Sequence, residues 1–152
     1  MKLNRNLIAL VAASFLATPS MAMQPAEYAT GKDRISADYK MHKERCDALS
    51  GNAKDVCQKD ANGADKVASA KLDAQAKPGD KAAYMVRKER ADADYEVAKE
   101  KCDDLSGNTK DVCKKDAKAA HVHAVENAKV VKAATAAGET RTEKAADVAE
   151  AR

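Results

Sequence analysis

Two cysteines with ten residues between them occur twice in this 152-residue chain, and their spacing constrains the fold more than any other feature. The segment CDALSGNAKDVC at 46–57 recurs as CDDLSGNTKDVC at 102–113. When position 38 is aligned with position 94, the segments 38–61 and 94–117 match at 17 of 24 places. Self-similarity of this kind indicates a repeated supersecondary unit. The sequence therefore predicts two copies of one small unit, each with its own cysteine pair.

Each copy is predicted to be an antiparallel helical hairpin, so the predicted fold class is all-α. In the segment 23–152, Ile, Leu, Val, Met and Phe together occur only 17 times, whereas alanine, the best helix former, occurs 29 times. So few large apolar residues cannot build a thick core. Small and apolar residues recur at spacings of three and four, which is typical of a narrow seam between packed helices. The predicted seam residues are Ile35, Tyr39, His42, Cys46, Leu49, Cys57, Ala61, Ala64 and Ala68, and in copy two Ala91, Tyr95, Ala98, Cys102, Leu105, Cys113, Ala117, Ala120 and Ala124.

The shared Leu-Ser-Gly-Asn sequence is predicted to form the turn of each hairpin. Its glycine suits the left-handed position that ends a helix. The asparagine that follows is a good N-cap, and the aspartate three residues later would face the positive end of the helix dipole. The predicted turn and cap residues are Gly51, Asn52 and Asp55 in copy one, and Gly107, Asn108 and Asp111 in copy two.

This turn places the two cysteines of each copy at equal distances from the reversal, on facing helices. Bridged cysteines have Cα atoms about 4.4–6.8 Å apart, a separation that such a hairpin provides. We therefore predict disulfides Cys46–Cys57 and Cys102–Cys113, with pairing between the copies as the alternative. A closed loop of this length stabilises a chain by about 3 kcal/mol. Two such hairpins would form a loose bundle or an elongated, coiled-coil-like array.

The segment 1–22 is predicted to be a cleaved signal peptide. Lys2 and Arg5 precede an apolar run at 7–17, and small residues Ser20 and Ala22 precede the cleavage point. The run is about half as long as the roughly 20 residues that a membrane span needs. We expect export to a bacterial periplasm, where disulfides form, with no stable membrane insertion after cleavage. The expected organisation is hairpins at 23–77 and 81–138, a connecting turn at 78–80, and a frayed helical tail at 139–152 whose partner is missing or supplied by another molecule.

Charge and motif content argue against several function classes. Removing Lys2 and Arg5 leaves 25 basic and 24 acidic residues, a net charge of +1, with the signs alternating along the chain. A nucleic-acid binder would show a clustered basic face, so we expect no nucleic-acid partner. No phosphate loop or nucleophile motif is present, so we predict a protein that is not an enzyme, with no catalytic residues and no cofactor.

Two sharper chemical interpretations of the cysteines are weaker than the structural one. Thiol redox catalysis commonly uses two cysteines separated by two residues, and that motif is absent. His42, Cys46 and Cys57 could offer three metal ligands, but only as free thiolates, and copy two has Ala98 where copy one has the histidine. We therefore predict no metal site.

The duplicated Y-x6-C-x2-LSGN-x-KDVC unit resembles small exported Ala/Lys-rich helical proteins of Gram-negative bacteria, some of which are described as TolA-like cell envelope biogenesis proteins. The resemblance implies an envelope location and a helical build, and it carries over no catalytic residue.

Three functions remain as hypotheses. The first is a non-enzymatic periplasmic scaffolding or interaction protein with envelope partners and an option of self-association. The second is a periplasmic chaperone or stress-protection protein that binds unfolded clients through its alanine seams. The third is a thiol-redox or metal-binding protein.

Overall fold

A computed structural model describes the backbone of residues 23–150 and the side chains of 23–138, 140 and 142. It contains helices α1 Pro25–Asp47, α2 Gly51–Ala76, α3 Asp80–Lys101 and α4 Gly107–Glu150, with a short 3-10 turn at Cys102–Asp104. The all-α prediction is confirmed, because every regular element of residues 23–150 is a helix. The predicted signal peptide at 1–22 lies outside the described residues, as do residues 151–152 of the predicted tail.

Both predicted disulfides are present, which excludes the alternative pairing between the copies. The Cα atoms are 5.4 Å apart in Cys46–Cys57 and 5.7 Å apart in Cys102–Cys113. Cys46 and Cys102 are also the largest side chains that are fully buried. In a chain with so thin a core, the disulfides therefore occupy the places that leucine or phenylalanine would fill in a thicker one.

The two turns have the predicted left-handed glycines, but the residues that begin the following helices are not the predicted N-caps. Gly51 and Gly107 have φ angles of 57° and 54°, the left-handed region that favours glycine. However, α2 and α4 begin at these glycines, and Ser50 is the residue that flanks α2. The predictions for the other four turn residues were therefore wrong: the asparagines are not N-caps, and the aspartates lie beyond the first turn. The residues concerned are Asn52, Asp55, Asn108 and Asp111.

The shortness of the turn explains this shift. Only three residues separate α1 from α2, because the disulfide holds the two helices together close to their ends. The glycine that reverses the chain must then also open the next helix. Elsewhere the helix boundaries follow local sequence signals. Pro25 opens α1, where the backbone N–H of Gln24 donates to the Glu27 carboxylate at 3.2 Å, and Pro78–Gly79 separates α2 from α3.

The four helices pack in chain order, each against the next. In residues 23–150 the extensive contacts are α1 with α2, α2 with α3, and α3 with α4. The helices therefore form one antiparallel layer, with α1 and α4 at its edges. The sequence left open whether the hairpins pack together or lie end to end, and the contact between α2 and α3 packs them side by side.

Gly63 allows this contact between the hairpins. A Cβ atom built on Gly63 would lie only 2.6 Å from the Cβ of Ala93, closer than real side chains approach. The missing side chain therefore lets α2 and α3 come together at this point. Copy two has Ala119 at the equivalent position, and there it is exposed on the outer side of α4.

The buried seam is thin and rich in alanine, as predicted, but several of its members differ. Leu49 and Leu105 were predicted to lie in it and are 44% and 39% exposed, because the helices end before them. Ala64, Ala120 and Ala124 are likewise exposed. Val67 and Leu72 are buried instead, since α2 has a neighbour on each side and buries residues toward both.

Helix α4 continues to Glu150 without a break at the predicted tail boundary of 138. From Ala133 to Gly138 its residues are exposed, so this part of the helix adds nothing to the seam. None of the helices in residues 23–150 has a stretch long and apolar enough to cross a bilayer.

Candidate functional site

One side of the helical layer carries two connected grooves. It bears Tyr28, Tyr39, Tyr95 and His121, and we call it the tyrosine face. The central groove, of about 670 Å³, is lined by residues from all four helices. The wide groove, of about 1130 Å³, lies between the start of α1, α2 and α3. Residues 65 and 66 line both, so the two grooves are continuous.

The central groove holds a compact polar cluster contributed by α3 and α4. His121 Nε2 lies 2.6 Å from Asp92 Oδ1, and Lys88 Nζ donates to Asp92 Oδ2 at 2.6 Å. The Tyr95 and His121 rings are 4.9 Å apart. The His121 side chain is only 17% exposed, and its Nδ1 atom is buried without a hydrogen-bond partner. The cluster therefore orients one imidazole in the groove wall.

Asp92 is the anionic centre of this cluster. Burial pushes the pKa of the Asp92 carboxyl upward, but hydrogen bonds and charges from Lys88 and His121 outweigh burial and leave that pKa below its ordinary value. A carboxyl with a depressed folded-state pKa stabilises the fold above its unfolded pKa, and this contribution is lost as the pH falls through the folded-state pKa.

We therefore expect Asp92→Asn to lower the free energy of unfolding near neutral pH by up to about 1 kcal/mol, the usual worth of a partly exposed ion pair. The difference between variant and parent should shrink below about pH 3.9, where the unfolded aspartate becomes protonated. Urea unfolding near pH 7 and near pH 3 measures both quantities. Asp94→Asn, at an exposed site on the same helix, is the matched control. An effect of Asp92→Asn that does not change with pH would contradict this explanation.

A second set of charges joins the two hairpins across the central groove. Lys59 of α2 reaches Glu96 at 3.3 Å and Glu100 at 3.9 Å on α3. A hydrogen bond from Lys99 is the largest cause that lowers the pKa of Glu96. Because these side chains are partly exposed, each pair contributes little stability.

The wide groove is more apolar than the central one. Met23 and Pro25 line it at the start of α1, and Ala70, Ala82 and Met85 line it on α2 and α3. The Tyr28 hydroxyl donates to Asp73 Oδ1 at 2.5 Å, which raises the pKa of Tyr28. Lys66, Lys81 and Glu89 also line the wide groove. The wide groove thus combines methionine and alanine surface with charged side chains.

Most of this face was not found from the sequence. Tyr39 and Tyr95 were assigned to the seam, and both line the central groove; Tyr39 also donates to Asn62 Oδ1 at 2.7 Å. His121, which the sequence did not single out, is largely covered. A difference between the copies could have pointed to this pair in the sequence. Copy two has His121 and Asp92 where copy one has Asp65 and Ser36.

The cysteines offer no thiolate in this structure. Both pairs are closed, and no cysteine of the described chain is free. His42 lies four residues before Cys46, but the Cys46 sulfur is bonded to Cys57, so the three-ligand set that was considered and set aside from the sequence is not available. Among residues whose side chains are described, no group of three or more His, Cys, Asp or Glu residues is arranged to hold a metal ion.

Comparison of the chain with protein-family models, with curated proteins and with solved structures found no match.

Proposed function

We propose that this chain is a non-enzymatic interaction protein of the bacterial cell envelope that works in the periplasm. The observation that carries the proposal is the wide groove, because it is a concave, largely apolar surface formed by three helices in a chain with a very thin core. An apolar groove that receives the apolar side of a partner helix is a recurring mode of protein recognition. The two disulfides and the predicted signal peptide support an oxidising compartment outside the cytoplasm.

The chemistry of the groove suggests what it binds. Met23 and Met85 present flexible, polarisable side chains that adapt to apolar partners, and Met85 is 38% exposed. Lys66, Lys81 and Glu89 can orient a polar flank of the partner. An amphipathic helix of an envelope protein, with its apolar side in the groove, has both features.

The adaptable methionines also favour the second candidate, a chaperone that accepts many unfolded clients. The two candidates differ in the number of partners, since a scaffold binds one or a few proteins whereas a chaperone binds many unrelated ones.

A photo-crosslinking amino acid at position 85, introduced into the exported chain in living cells, tests the proposal. We expect crosslinks to one or a few envelope proteins, in amounts well above those from the same group at position 94, which lies on the opposite face. Crosslinks to many unrelated unfolded chains would favour the chaperone. Equal yields at positions 85 and 94 would contradict any role of the wide groove.

A further inference from the structure

The outer side of α4 corresponds, in the repeat, to the side of α2 that packs on α3. The repeat aligns α1 with α3 and α2 with α4. The contact between α2 and α3 therefore has an unused counterpart at the two edges of the layer. From this we propose that the chain assembles head to tail, with the outer side of α4 packing against the outer side of α1 of a second copy.

The exposed apolar residues of α4 lie where this contact requires them. Three valines of the helix are between 46% and 67% exposed, namely Val112, Val122 and Val130. With Ala119 they share the helix face that aligns with the α2 residues around Gly63. We call this set the valine stripe. Val56 and Ala74, the counterparts of Val112 and Val130, are partly covered in copy one, whereas Lys66, the counterpart of Val122, is exposed beside the grooves of the tyrosine face. A shallow groove of about 720 Å³ lies along the same side of α4.

The outer side of α1 offers the complementary surface. Ala37, the counterpart of Ala93, is exposed there, and so is Met41, the counterpart of the partly covered Val97. In the internal contact, residue 63 faces residue 93. The same register places Ala119 opposite Ala37 of the second copy, and Met41 opposite residues 115 and 116. A single valine or methionine on a surface is ordinary, but two faces that match through an existing interface are not.

The intermolecular contact is expected to be weaker than the internal one. Lys115 and Glu44 repeat the pairing of Lys59 with Glu100, but Lys40 stands where Glu96 provides the second partner. Glu126 faces residue 30, one helical turn from Asp33, so two like charges come near each other. Ala119 also carries the methyl group that Gly63 lacks, so the helices cannot approach as closely.

The symmetry of this contact determines the kind of assembly. The contact joins two different surfaces, the outer side of α4 in one copy and the outer side of α1 in the next. A heterologous contact of this kind that does not close into a ring produces oligomers of increasing length and not a closed dimer. We therefore expect the oxidised protein to show monomer, dimer and longer species in amounts that rise with concentration.

Sedimentation velocity of the oxidised chain over a range of concentrations tests the proposal. We expect Val130→Glu to leave only monomer under conditions in which the parent associates, and Ala124→Glu, an exposed change of α4 outside the valine stripe, to have no effect. In the proposed register residue 130 faces residue 26 of the second copy. Adding Ala26→Lys to Val130→Glu should therefore restore association.

Circular dichroism of each variant confirms that the fold is kept. A parent chain that stays monomeric at all concentrations would overturn the proposal. So would a closed dimer, or a Val130→Glu chain that Ala26→Lys does not rescue. The sedimentation results do not depend on whether position 85 crosslinks to a partner, because residue 85 lies in the wide groove and not at the edge of the layer.

Discussion

Removing both disulfides is expected to lower the free energy of unfolding by about 6 kcal/mol, about 3 kcal/mol for each closed loop. Small domains are stable by only about 5–15 kcal/mol in total, and this one has a thin core, so the reduced chain should be largely unfolded. Thermal melts followed by circular dichroism, with and without reductant, measure the loss. A reduced chain as stable as the oxidised one would contradict a structural role for the cysteines.

The two disulfides can be separated with paired substitutions. Replacing both partners, as in Cys46→Ser with Cys57→Ser, avoids the free thiol that a single change would leave open to mixed disulfides. The matched variant is Cys102→Ser with Cys113→Ser. Each pair should cost about 3 kcal/mol, because the two loops have the same length. Peptide mapping of the parent without reduction should find only the two bridges of the structure.

Gly63→Val should have the second largest effect, a loss of about 1–3 kcal/mol, the usual cost of overpacking a close contact. Valine would meet Ala93 where even a Cβ atom lies at 2.6 Å, so α2 and α3 would have to separate. The loss would occur although valine favours a helix more than glycine does. Urea unfolding of the oxidised protein measures it.

Ala119→Val, compared at a dilution that leaves the chain monomeric because residue 119 lies in the valine stripe, is the matched control: residue 119 occupies the same place in copy two and is exposed. It should cost only the difference in helix propensity between alanine and valine, about half a kcal/mol. Equal losses for the two variants would show that the contact between the hairpins contributes no stability.

The sequence predicted those features that depend on local chemistry. The internal repeat, the alanine content and the cysteine spacing sufficed to predict the helices, both disulfides and the left-handed glycines. These follow from propensity and from the reach of a bridge across a short turn, so no distant residue is needed to infer them.

The contact between the hairpins could not be predicted in the same way. Gly63 did not stand out in the sequence, because the close approach that it permits depends on Ala93, thirty residues away on another helix. His121 was missed for the same reason, because Asp92 approaches it only after α3 and α4 have paired. The Asn52 and Asn108 caps failed because the disulfide shortens the turn and changes where each helix starts.

This architecture explains how a chain with little apolar content can present large grooves. A single layer leaves both of its sides open, so residues that a thicker domain would bury remain available on the tyrosine face. The disulfides and the close contact at Gly63 then supply the rigidity that a second layer would provide. The grooves cross helices of both hairpins, and they therefore depend on the hairpins behaving as one unit.

Hydrogen exchange tests that dependence most directly. The amide protection of each helix is compared between the oxidised parent and the variant with Cys46→Ser and Cys57→Ser. If the four helices form one layer through α2 and α3, protection should fall in α1 and α2 and also in α3, which loses its support on one side. A loss confined to α1 and α2, with α3 as protected as in the parent, would contradict the account, because the two hairpins would then be independent.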